Sequence, residues 1–114
     1  MLPKNRRIAR KDFTNILSNG RKYNSPILLL NIAKIGKSGL NSQFSFSVSK
    51  KVSKSAVVRN KLRRRGYSVI ENNIKNIKPE QFLFFSYKKG GEKAKYKELE
   101  SDIIGLLEKS FMLK

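Results

Sequence analysis

The sequence predicts an α+β fold in a single domain, residues 1–114, with the element order α-β-β-β-α-β-α. Three observations lead to it. A length of 114 residues suits one modest core. Three segments place apolar residues at helical spacing, and the segments around them either alternate with period two or run apolar between Gly, Pro and Ser. No internal repeat, low-complexity tract or linker divides the chain.

Residues 1–10 are basic and polar after Pro3 and make an arm expected to order only in part. A short helix follows, with Asp12 as its cap, Phe13, Ile16 and Leu17 as an i, i+3, i+4 apolar stripe, and Gly20 at its end. Ile27 to Ile35, opened by Pro26, reads as a buried strand. Gly36 to Ser42 is dense in turn residues and predicts a hairpin, although the division of this region into three strands stays open. Next, Phe44, Phe46 and Val48 alternate with Ser45, Ser47 and Ser49, giving a strand with one packed face and one open face of small hydroxyls.

From Ser53 or Ser55 a longer helix runs to about Ile77, with Val58, Leu62, Val69, Ile70, Ile74 and Ile77 on its apolar side and the arginines largely opposite. Gly66 falls on the apolar stripe, where it costs about 1 kcal/mol relative to Ala. Either the helix bends there or its backbone approaches the sheet closely, and close packing is the preferred reading. Pro79 breaks the chain, Gln81 to Tyr87 is an apolar strand, and Lys88 to Gly91 is a loop. Leu99, Ile103, Leu106 and Leu107, flanked by Tyr96 and Phe111, define a closing amphipathic helix.

Charge is the strongest compositional signal. Lys and Arg number 26 against 8 acids, a net charge of +18. Residues 1–66 hold 17 of the cations and only Asp12 as an acid, so that part carries +16; the remainder, with 9 basic and 7 acidic residues, carries +2. Self-repulsion on this scale calls for a polyanionic partner, and nucleic acid is the leading class.

Other classes are disfavoured. The chain has no Cys and no His, so it lacks disulfides, thiolate nucleophiles, Cys-based zinc sites and the usual general base. No metal site is predicted, and a reducing cytoplasm is the expected compartment. Glu98, Glu100, Asp102 and Glu108 cluster in a Lys-rich amphipathic segment, where solvated i, i+4 pairing explains them better than an active site. No stretch approaches the roughly 20 apolar residues of a membrane span. The N-terminus lacks the apolar segment of a secretory signal. Neither a membrane nor an obligate protein partner is expected.

The basic helix is the candidate docking surface. Arg59, Asn60, Lys61, Arg63 and Arg64 spread over a wide arc of one helix, enough to touch several phosphates. A helix does not enter the deep groove of A-form RNA, so these residues are suited to gripping backbone and shape. Asn60, whose amide both donates and accepts, either fixes a neighbouring side chain or sugar hydroxyl or simply faces solvent. A second surface is the serine-bearing sheet face, where Lys50 and Lys51 add charge and Phe13 either stacks on unpaired bases or packs in the core.

The runs Ser-Val-Ser-Lys-Lys at Ser47 to Lys51 and Arg-Asn-Lys-Leu-Arg-Arg at Arg59 to Arg64, with Lys-Asp-Phe at Lys11 to Phe13, resemble the bacterial ribonuclease P protein component in order over nearly the whole chain. The resemblance implies an α/β sandwich with a left-handed β-α-β crossover formed by Phe44 to Ser49, the helix through Arg59, and Gln81 to Tyr87. It also implies an accessory subunit of a ribozyme. The catalytic RNA, holding most of the Mg2+, would remove the 5′ leader of precursor tRNA, and the protein would supply no catalytic residue. Arg59, Asn60, Lys61, Arg63 and Arg64 would then meet the catalytic RNA, while Phe13, Ser47, Ser49, Lys50, Lys51 and Lys88 would line the leader-binding cleft. Lys61 stands where the family more often has Arg, and Leu17 where it often has a second aromatic. Rival readings are a non-catalytic structured-RNA-binding protein of ribosomal or double-stranded-RNA-binding type, and a protein nuclease using carboxylates such as Glu98 or Asp102 with a metal.

Overall fold

The computed structural model describes residues 2–114. The predicted element order is present: α1 (Phe13–Asn19), β1 (Arg21–Asn24), β2 (Leu28–Lys34), β3 (Gln43–Ser47), α2 (Ala56–Asn73), β4 (Gln81–Tyr87) and α3 (Tyr96–Lys109), with 3-10 turns at Lys4–Arg6, Arg10–Asp12, Ile74–Asn76 and Gly91–Lys93. The four strands form one sheet in the order β1-β2-β4-β3, in which only the β3–β4 pair is parallel.

Strand alternation sorts the side chains between the two faces. Leu30, Phe85 and Phe46 are register partners across β2, β4 and β3 and point to one side. There α2 and α3 close the main core, with Leu62, Val69, Ile70, Ile103 and Leu107 buried against the strands. The Phe46 and Phe85 rings stack at 4.7 Å. On the opposite face, Ser47 pairs with Ser86 and Ser45 with Phe84. α1 covers one part of this face, packing Ile16 with Ile8, Ala33 and Phe82.

Local chemistry explains the helix starts. Ser55 caps α2, its hydroxyl accepting from the Val58 N–H, and the Glu98 carboxylate accepts from the Lys95 N–H at the start of α3. Gly66 is the close approach rather than a bend: a Cβ there would lie 2.5 Å from the Phe46 ring, so α2 runs on as one helix pressed against β3.

The hand of the β3–α2–β4 crossover follows from one hydrogen bond. The Phe44 carbonyl accepts from the Ile8 N–H, outside the sheet, while the Phe44 side chain is buried in the core shared with α2. In an L-chain with the side chain toward the viewer and the strand running upward, that residue's N–H and C=O point right, so the outer edge lies right and β4 left. Stepping leftward beneath a helix in front is the left-handed connection, against the roughly 98% right-handed norm.

Three expectations are corrected. The hairpin predicted at Gly36 to Ser42 does not form, because β4 lies between β2 and β3. The hairpin lies instead between β1 and β2, and its first strand, Arg21–Asn24, mixes charged and polar residues that hide strand periodicity. Leu17 is 52% exposed, since α1 is only two turns long and buries a single row through Ile16. Phe111 is exposed, its backbone turning left-handed at φ 58° so that Met112 is buried in its place.

Candidate nucleic-acid interface

α2 presents its cations on parallel i, i+4 ridges. Arg59 and Arg63 share one ridge with Tyr67; Asn60 and Arg64 share the next; Lys61 lies with Arg65 on a third, turned away from Arg59. Arg59 Nη1 donates to the Ser53 carbonyl at 2.9 Å, holding the half-buried guanidinium at the helix start. The Arg63 guanidinium donates to Asn60 Oδ1, so Asn60 fixes a neighbouring side chain. Arg64, Asn60 and Lys61 are exposed. Below Lys61 and Arg65, the Tyr87 hydroxyl donates to the Leu62 carbonyl at 2.7 Å; burial pushes its pKa up, with Arg65 opposing.

The second surface, the trough, is the partly exposed strip of the sheet's α1 face beside α1. Its floor carries Ser45 and Ser47 of β3 beside Phe84 and Ser86 of β4. Phe13 is half-buried and meets Phe84 edge-on at 5.0 Å, so it combines packing with one accessible flank. Beyond β3, the Ser49 carbonyl accepts from the N–H groups of Val52 and Ser53, and this tight turn holds Lys50 and Lys51 out in solvent just before α2. Lys88 follows β4 at the same end of the sheet, but its Nζ donates to the Ser25 carbonyl at 2.7 Å and braces the β1–β2 turn. The structure thus places Ser47 on the trough floor and Phe13 beside it on α1, sets Ser49, Lys50 and Lys51 at its rim, and gives Lys88 a structural partner.

Phe84 and Ser86 belong to this surface and were not singled out from the sequence; Ser86 is the one break in the apolar run Phe82–Tyr87, and the two-residue repeat of a strand puts Phe84 on its face. The basic arm is a further addition. Arg7 bridges Phe44 along the free edge of β3, Leu2 and Ile8 are buried, and Arg6 Nε donates to the Ser42 carbonyl at 3.0 Å, with burial lowering the Arg6 pKa.

The carboxylates of the nuclease reading are engaged elsewhere. Asp102 accepts from the Ser25 hydroxyl and the Ile27 N–H, while Glu98 caps α3. Among the described residues no group of three or more His, Cys, Asp or Glu side chains is placed to hold a metal ion. Among them, too, no helix is long and apolar enough to cross a membrane.

Comparison with known proteins gives a consistent result. The ribonuclease P family model matches residues 2–110. The ribonuclease P protein component of Clostridium novyi is 31% identical over 110 residues, covering 96% of each chain. That of Clostridium botulinum is 35% identical over 101 residues, covering 88% of each. The solved ribonuclease P protein of Staphylococcus aureus superposes with a TM-score of 0.85 at 18% identity, covering 96% of this chain and 98% of that one. The Thermotoga maritima protein gives 0.81 at 20% identity, covering 90% and 96%. The last two show a shared fold, and the match over nearly the full length together with the two sequence relatives shows that this chain belongs to the ribonuclease P protein family.

Proposed function

We propose that this ribonuclease P protein component binds the catalytic RNA through Arg59, Asn60, Arg63 and Arg64, with Lys61 on the flank, and holds the 5′ leader of precursor tRNA in the trough floored by Ser45, Ser47, Phe84 and Ser86. The observation that carries this reading is the placement of the two surfaces. The turn bearing Lys50 and Lys51 joins the trough directly to the start of α2, so one short segment spans both RNAs. Phosphates meet cations at the rim and on α2, while small hydroxyls and an aromatic flank leave room for unpaired bases between them.

In this reading the protein performs no bond cleavage. Glu98 and Asp102 are committed to a helix cap and a turn, so catalysis and most of the Mg2+ are assigned to the RNA. The protein neutralises phosphate repulsion between ribozyme and substrate, which lowers the Mg2+ needed and favours precursor over mature tRNA. Its place of action is assigned to the cytoplasm, beside those RNAs.

Reconstitution tests the proposal. Mixed with a bacterial catalytic RNA at low Mg2+, the protein is expected to raise precursor cleavage and to bind precursor more tightly when several leader nucleotides are present. Equal affinity with and without the leader would reduce it to a general RNA-binding module, and cleavage by the protein alone would overturn the assignment of catalysis to RNA.

A further inference from the structure

Helix α3 ends on a left-handed turn that its sequence does not favour. The Phe111 N–H donates to the Glu108 carbonyl and the Met112 N–H to the Leu107 carbonyl, the two closing bonds of a Schellman motif, with Met112 and Leu107 both buried in the core. That motif needs one residue at positive φ, where glycine is the usual occupant, and here it is Phe111 at φ 58°. Burial does not compensate the strain, because the ring is 78% exposed, more than any other large apolar side chain among the described residues. The segment is nonetheless fixed. The Met112 carbonyl accepts from the Lys78 N–H at 2.7 Å, Leu113 bridges Ile77, and the Lys114 N–H donates to the Asn76 carbonyl at 2.8 Å, so a short antiparallel ladder holds the turn in place. Lys75, Lys78 and Lys114, all exposed, stand on or beside that ladder; Glu71 and Glu108 supply fewer charges of opposite sign, and Glu80 is taken up by the Gly39 N–H. This end is remote from the Lys50–Lys51 turn, since α2 runs about 27 Å before it reaches Ile74.

We propose that Phe111 is a stacking platform for one unpaired base of the catalytic RNA, with Lys75, Lys78 and Lys114 meeting the flanking phosphates. The inference rests on the RNA-binding function proposed above and adds a contact at the far end of α2. A strained residue that gains nothing from the core is explained by what it touches outside the chain. A lone ring offers far less area than a specific protein interface needs, but it matches the face of one base, and lysines beside it suit the phosphates on either side. The leader is assigned to the trough and the catalytic RNA to α2. A strand that reaches the end of α2 therefore belongs to the catalytic RNA.

The chain contains no Trp, so Phe111→Trp places a fluorophore at this point alone. Its emission is expected to be quenched when the full chain meets a bacterial catalytic RNA without precursor. Emission that stays that of a water-exposed indole, quenching that appears only once precursor is added, or a change that follows protein concentration without RNA would each overturn the proposal. Phe111→Gly separates binding from folding. Relief of the left-handed strain is expected to raise the urea midpoint, while affinity for the catalytic RNA falls about tenfold at an unchanged salt slope, because a base contact and no phosphate contact is lost. Phe111→Leu is expected to weaken binding nearly as much. Unchanged affinity in Phe111→Gly, or a lower urea midpoint that makes the ring a part of the fold, would count against the platform. Failure of the natural chain to bind the catalytic RNA would instead bring down the proposed function, so the two failures are separable.

Discussion

Gly66 and Gly105 are both helical, yet their surroundings differ sharply. A Cβ at Gly66 would lie 2.5 Å from the Phe46 ring, which is itself held by Phe85 and Tyr67, whereas a Cβ at Gly105 would meet nothing within 4 Å. Overpacking of about 1–3 kcal/mol outweighs the roughly 1 kcal/mol helix-propensity gain at the first site, and only the gain operates at the second. Gly66→Ala is expected to lower the urea midpoint and Gly105→Ala to raise it. Tyr87 offers a pH test. Its folded-state pKa is raised, so its contribution to stability is complete below the ordinary tyrosine value of about 10 and is lost as pH rises beyond it, because the unfolded chain ionises first. Urea titrations in that alkaline range are expected to show a steeper loss in the natural chain than in Tyr87→Phe. Gly66 was legible in the sequence as a glycine on an apolar stripe; the anchoring of Tyr87 to the Leu62 carbonyl was not, because it joins elements 25 residues apart.

α2 and α3, read from helical periodicity, and β4, read as an apolar run, match the structure closely, because each helix buries a regular row against the sheet and β4 is covered on both faces. The hairpin reading failed for a physical reason: turn residues at Gly36–Ser42 report a reversal of chain direction, not which strand becomes the neighbour, and pairing with β4 buries Leu83 and Phe85 on one face and Phe82 on the other. The site was legible in composition and missed in detail. The arginines of α2 stand out, but their division among three ridges depends on helical phase, and Lys88 is drawn off by the Ser25 carbonyl. That division is testable. With the catalytic RNA, Arg59→Ala and Arg63→Ala are each expected to reduce the log–log salt slope of binding by about 0.7–0.9, the value for one phosphate contact. An unchanged slope for either variant would place that guanidinium off the RNA.

A net charge of +18 on 114 residues makes the isolated molecule repel itself. Its thermal midpoint is therefore expected to rise with ionic strength and to rise further with sulfate or a polyanion, which binds the folded cation arrays preferentially. A midpoint that falls with added salt would show that attractive pairs outweigh the repulsion. The charge asymmetry between residues 1–66 and the rest was readable at once, but its meaning needed the topology: the basic arm, β3 and the first half of α2 meet along one edge, while the near-neutral remainder supplies β4 and α3. Because β4 sits between β2 and β3, the emerging polypeptide cannot close its sheet until residues 81–87 have left the ribosome. Every cationic surface is synthesised before the central strand that holds them in place, so a prematurely stopped translation product would keep most of the positive charge and none of the geometry.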